Sequence, residues 1–214
     1  MEKRKQRHGF GSFGTIKISI LDGTIISSFF PEAEEMTIKE IQERVDYSYE
    51  RVNSSLKSLT KKKIIIEKQK GKTLVYSLDL QNLYAESMGF NAYMLEREIE
   101  FIKKHKVLYG AIKNASDEIF GTTILFGSYA KRNETKQSDV DLMIISDSEK
   151  QVQNKINEIK LKYGFNVSLA FVKITEFPKI KKENPELWKD LKNYAIVFTG
   201  GDLYYYWMYK NEKN

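Results

Sequence analysis

The sequence predicts an α+β protein built from two units. Three observations carry that expectation. A helix–turn–helix pattern followed by two strand-like runs occupies residues 15–80; a strand, a Gly-Ser turn and a second strand follow around Gly127 and Asp141; and 214 residues accommodate two small domains. Residues 1–14 are expected to form a basic flexible arm, 81–90 a join, and 91–214 the second unit.

The arm runs Met1-Glu2-Lys3-Arg4-Lys5-Gln6-Arg7-His8, basic but without the apolar stretch of a signal peptide, so export by that route is not expected. Gly9-Phe10-Gly11-Ser12-Phe13-Gly14 matches the spacing of a dinucleotide-binding glycine motif. No strand precedes it, so the strand–turn–helix that cradles a pyrophosphate is missing.

Thr37-Ile38-Lys39-Glu40 is a capping-box pattern, and Ile38, Ile41 and Val45 add an apolar stripe, which predicts a helix over 38–45. Asp46-Tyr47 makes the turn. Ser48 is placed to cap a second helix in which Val52, Leu56 and Leu59 recur at helical spacing to about Lys61. Ile64–Lys68 and Thr73–Leu78 then read as strands joined through Gln69-Lys70-Gly71-Lys72.

Between residues 57 and 72 seven lysines face Glu67 alone, an excess equal to the +6 of the whole chain. The basic balance is therefore concentrated on this helix end and hairpin, as a polyanion-binding surface requires. Ser48, Arg51, Asn53, Ser54 and Lys57 on the second helix, with Lys68, Lys70 and Lys72 on the hairpin, mix groups that bond base edges with groups that bond phosphates. A solvated helix end is the bland alternative for such a charge run. Tyr47 and Tyr49 need no role beyond packing.

Beyond the join, the stretch from Tyr93 to about Phe120 is helical in pattern, as one bent helix or two. Thr122-Thr123-Ile124-Leu125-Phe126 then reads as a buried strand ending at Gly127, where the missing side chain admits a phosphate to the backbone. Ser128 adds a hydroxyl, and a helix starting there would aim free amides and its positive dipole end at the same phosphate.

The next strand opens Ser138-Asp139-Val140-Asp141-Leu142. Side chains alternate along a strand, so Asp139 and Asp141 share one face while Val140 and Leu142 enter the core. Paired carboxylates repel each other unless a cation sits between them, and Mg²⁺ typically takes one or two protein carboxylates, leaving its other positions to phosphates and water. Lys131 and Arg132 are placed to offset phosphate charge, or else simply solvated in a polar loop.

The remaining elements read as scaffold. Ser148-Glu149-Lys150-Gln151 offers another capping pattern for a helix containing Ile156 and Ile159, which Gly164 ends before a strand over about Asn166–Lys173. Asn184-Pro185 starts a further helix, Ala195–Phe198 form a final strand, and Tyr204, Tyr205, Tyr206, Trp207 and Tyr209 cover the core rather than a base.

The run Gly127-Ser128, spacer, Asp139-Val140-Asp141 resembles the signature of DNA polymerase β-type nucleotidyltransferases, especially the minimal nucleotidyltransferase domains of prokaryotes, over about residues 91–205. The resemblance implies a mixed sheet flanked by helices. It implies Gly127 and Ser128 at a triphosphate, and Asp139 and Asp141 as metal ligands and catalytic groups. It also implies Mg²⁺ or Mn²⁺ as cofactor, an NTP such as ATP as substrate, and transfer of a nucleoside monophosphate to a hydroxyl with release of pyrophosphate. Some minimal domains of this family are antitoxins that modify a toxin, which makes a protein acceptor or toxin partner a candidate.

This sequence departs from the family twice. The family's third carboxylate falls on a strand that here reads Phe165-Asn166-Val167-Ser168, leaving Asn166 and Ser168 as non-ionisable candidates for that position, with Glu176 as an alternative from the following loop. Arg132 stands where the minimal domains often have glycine. The N-terminal order resembles winged helix-turn-helix DNA-binding domains, which implies double-stranded DNA in contact with the second helix and the wing.

The reading that results is a nucleotidyltransferase coupled to a DNA-binding winged helix. A DNA-binding regulator or antitoxin-like protein with a catalytically weak, nucleotide-sensing domain is its rival, and a protein-binding module is a third. The absence of cysteine excludes disulfides, thiolate zinc sites and a thiol nucleophile, while His8 and His105 are too few for a histidine-rich centre. No membrane span is expected; a cytoplasmic location is the default, and a homodimer is a candidate assembly.

Overall fold

The computed structural model describes residues 17–210. The arm expected over 1–14, with its glycine motif, lies outside them.

The N-terminal part starts with α1 (Ile20–Ser27), capped reciprocally by Ser19 and Asp22. A short strand β1 (Met36–Thr37) leads into α2 (Ile38–Val45), where the capping box forms: Glu40 accepts from the Thr37 amide at 2.7 Å, and Thr37 Oγ1 accepts from the Glu40 amide at 3.3 Å. Asp46, left-handed at φ 52°, turns the chain into α3 (Tyr49–Lys61). Ser48 occupies the N-cap position of α3 without making a side-chain cap bond.

β2 (Ile65–Lys70) and β3 (Thr73–Leu78) pair antiparallel around Gly71, whose φ of 59° suits a two-residue turn, and β1 adds to the other side of β3. Ile25, Ile41, Val45, Val52, Leu56, Leu59 and Tyr76 are buried together between these helices and the hairpin.

A π-helical turn over Ala85–Phe90 continues directly into α4 (Asn91–Asp117), which kinks at His105 (φ −130°, ψ 44°). The C-terminal part is a four-stranded mixed sheet in the order β6-β5-β4-β7: β4 (Thr122–Leu125), β5 (Val140–Ile145), β6 (Val167–Val172) and β7 (Ile196–Thr199). β5 runs antiparallel to β4 and parallel to β6. The helical second half of α4 and α6 (Glu149–Tyr163) cover the face that carries Leu142 and Ile144.

On the opposite face, carrying Met143 and Ile145, lie α8 (Pro185–Tyr194) and the C-terminal aromatics. α5 (Gly127–Lys131) follows β4, α7 (Ile180–Glu183) precedes α8, and α9 (Gly201–Tyr205) follows β7. Tyr204, Tyr205, Trp207 and Tyr209 are buried, as core cover demands, whereas Tyr206, expected among them, points outward and is exposed. Among the described residues no helix is long and apolar enough to cross a membrane.

Candidate functional site

Two strands end at the same point of the sheet and fix the site. β4 and β5 are antiparallel with Leu125 opposite Leu142, so the exit of β4 adjoins the entry of β5. The Phe126 amide donates to the Asp141 carbonyl at 3.0 Å, which fastens the turn to the acidic strand. Gly127 then takes φ 66°. A Cβ added there would lie 2.0 Å from Asp141 Oδ2, so glycine is demanded both by its dihedral and by the carboxylate against it. The helix begins at Gly127 rather than Ser128.

Val140 and Leu142 are buried, while Asp139 is exposed and Asp141 half-buried on the other parity of the strand. The Asp141 carboxyl is held above its usual range, chiefly by burial and then by the neighbouring Asp139 charge, against a hydrogen bond from Ser168. The two aspartates therefore sense each other. Desolvated, mutually repelling oxygens beside a bare backbone turn fit a divalent cation.

The position of the missing carboxylate is occupied by polar neutral groups. Ser168 stands opposite Asp141 in the parallel register, and the Asn166 side-chain amide donates to Asp139 Oδ1. Both aspartates thus receive a hydrogen bond from β6 or its entry. Glu176 cannot take that place: it follows the far end of β6, and a six-residue strand spans roughly 20 Å. Among the described residues no three His, Cys, Asp or Glu gather into a metal-holding group.

The two cations expected near the phosphates have partners elsewhere. Lys131 Nζ lies 2.6 Å from Asp190 Oδ2 on α8 and over the Tyr194 ring, and Arg132 pairs with Glu100 on α4. Arg132 nevertheless adopts the left-handed conformation a glycine would take, at φ 62°.

Sequence reasoning missed Arg97. From α4 its guanidinium donates to the carbonyls of Ala130, Asn193, Tyr194 and Ala195, closing the C-terminal ends of α5 and α8 together. Its partners lie 33 and about 100 residues along the chain, beyond any local pattern.

On the N-terminal part, Ser48, Arg51, Ser54 and Lys57 are exposed on or just before α3, with Asn53 half-buried beside them. Lys68, Lys70 and Lys72 are exposed on the hairpin. Lys70 and Lys68 meet Glu35 at 2.5 and 3.4 Å, and Arg51 lies over the Tyr47 ring.

Comparison with known proteins meets this geometry at the same residues. Residues 113–200 match the family described as "Nucleotidyltransferase domain". The protein named "Putative protein adenylyltransferase MJ1305" of Methanocaldococcus jannaschii is 31% identical over 107 residues, covering 46% of this chain and 67% of that protein. No solved structure gives a significant match. A matched span that contains the Gly127-Ser128 turn, both aspartates and the whole mixed sheet leads to one conclusion: through its C-terminal part, this chain belongs to the nucleotidyltransferase family.

Proposed function

We propose that the chain transfers a nucleoside monophosphate from an NTP, ATP in the first instance, to a hydroxyl acceptor in a Mg²⁺- or Mn²⁺-dependent reaction, and that its N-terminal part is a winged helix that binds double-stranded DNA. The observation that carries the first part is the seating of Gly127 on the Asp141 carboxylate, which brings a phosphate-sized turn against the ligand pair. Asp139 and Asp141 would hold the ion, which when bound neutralises their charge together with that of the triphosphate. The Gly127 and Ser128 backbone orients the phosphates, and Arg97 holds the far end of α5 in place.

The relative's name makes a protein hydroxyl the acceptor to test first. The protein, labelled ATP and Mg²⁺, incubated with cell extract, should yield labelled protein and pyrophosphate. Asp139→Ala with Asp141→Ala should abolish both; unchanged labelling in that variant would sink the assignment.

One observation favours a second reading, a regulator that senses nucleotide with little turnover. Ser168 and Asn166 supply hydrogen bonds where a third carboxylate would supply charge and a base, and phosphoryl-type transfer relies on charge neutralisation and positioning. Ser168→Asp tests it: rising transfer with unchanged nucleotide affinity supports the sensing reading, and a loss of transfer supports an enzyme already complete.

A further inference from the structure

The first half of α4 is apolar on two opposite sides. Met94 and Phe101 are buried and Tyr93 and Arg97 reach toward the end of α8, so one side faces the core. About 150° around the axis, at 3.6 residues per turn, lies a second row, Ala92, Leu95, Ile99 and Ile102, which Met88 in the preceding π-helical turn prolongs. Leu95 is 54% and Ile99 42% exposed. A surface helix is normally polar on that side, and an apolar one is covered.

The spacing of the row is four, three, four, three, the alternation of a coiled-coil seam. Ala92 and Ile99 then fall at a, and Met88, Leu95 and Ile102 at d. β-Branched Ile99 at a with Leu95 at d is the combination that favours two parallel strands. At the N-terminal end of the row α1 packs alongside Met88 and Ala92, leaving a groove floored by Gly23 with Ile20, 86% exposed, at its rim; Leu95, Ile99 and Ile102 form the part of the seam that α1 leaves open.

The flanking charges identify the occupant. Glu98, half-buried and accepting from the Tyr109 hydroxyl at 2.8 Å through one carboxylate oxygen, falls at g and Lys103 at e, five residues on, the offset at which parallel helices pair across a seam; Asn91 and Glu96 take the equivalent places one heptad earlier. Two copies of this stripe therefore complete each other without a like-charge contact. We infer that the chain forms a parallel homodimer along α4 through Leu95 and Ile99, with Glu98 of each copy against Lys103 of the other.

Sedimentation equilibrium of the full chain tests this independently of any transfer activity. The wild type should give twice the 25.0 kDa chain mass. Leu95→Glu with Ile99→Glu should give the single-chain mass with unchanged circular dichroism. Should that variant fail to fold, Lys103→Glu carries the test: its dimer dissociation constant should rise about tenfold, and adding Glu98→Lys should restore it. A single-chain mass for the wild type at its highest soluble concentration overturns the inference. So does a dimer indifferent to these substitutions.

Discussion

At Gly127, two demands coincide, a left-handed backbone and no atom where Asp141 Oδ2 lies. Gly127→Ala must therefore strain the turn by at least about 1 kcal/mol and push the carboxylate aside. Its expected phenotype is loss of the Mg²⁺- and ATP-dependent rise in melting temperature, measured by thermal shift; an undiminished rise would remove the turn from the binding site. Asp141 predicts the opposite trade. Its pKa is raised in the fold, so its ionised form costs stability in full above the folded-state pKa, and that cost fades as pH falls from the folded-state to the unfolded-state value and is gone below it. Asp141→Asn should then melt slightly higher than wild type at neutral pH, with the difference closing toward acid pH, while nucleotide labelling is lost. A variant that melts lower at neutral pH would contradict the cost that burial, and then the Asp139 charge, place on ionised Asp141. Both positions were legible in the sequence, because alternation along a strand and the geometry of a glycine turn are local rules. The pairing of Lys131 with Asp190 and of Arg132 with Glu100 was not, since each joins elements that meet only after the sheet assembles.

Elements announced by their own sequence formed where expected. α2 spans residues 38–45 because Thr37 and Glu40 cap each other, and α6 stops at Gly164, left-handed at φ 72°. α1 escaped notice: Ile20, Leu21, Ile25 and Ile26 leave no polar face, hence no period to read, and β1 is two residues long. Besides the buried Ile25 and Ile26, a buried polar contact holds α1. Burial alone would raise the Asp22 carboxyl, but hydrogen bonds from Ser55, the Ser19 amide and Lys62 outweigh it and keep it below its usual range. Asp22→Ala should cost about 3 kcal/mol in denaturant unfolding, since it strands the buried Ser55 hydroxyl and removes the Ser19 capping box, while Lys62 keeps only its bond to the Lys17 carbonyl; a change near zero would show that α1 does not depend on this contact. The hairpin carries a different consequence. Glu35 holds Lys68 and Lys70, the groups proposed for phosphate contact, so DNA bound as proposed would have to compete with it. Glu35→Gln should tighten binding and steepen its salt dependence in fluorescence anisotropy. Binding left unaltered would take these lysines out of the contact.

At the scale of the whole molecule, the two parts are joined by rings rather than by a tether. Phe90, in the turn before α4, packs 5.8 Å from Phe30 on the N-terminal side and 4.9 and 5.6 Å from Tyr205 and Tyr209 at the C-terminal end; Phe30 itself lies 5.2 Å from Tyr209. Gly89 is pressed against Ile26 and Phe30 so closely that a Cβ would lie 2.6 Å from Ile26 Cγ2. A core shared in this way makes separate unfolding of either part expose large apolar area, so the chain should unfold as one cooperative unit. Nucleotide bound with its cation at the proposed site would then stabilise residues it never touches. At a ligand concentration of about a hundred times its dissociation constant, linkage supplies roughly 2.7 kcal/mol to every amide that exchanges only by global unfolding. Hydrogen exchange of the buried turns of α3, around Leu56, should slow accordingly when ATP and Mg²⁺ are added. Phe90→Ala should cost about 3–5 kcal/mol and divide the transition, leaving α3 indifferent to nucleotide. Were α3 already indifferent in the wild type, the ring cluster would be a contact between independently folding parts, and nucleotide occupancy would have no thermodynamic route to the basic hairpin.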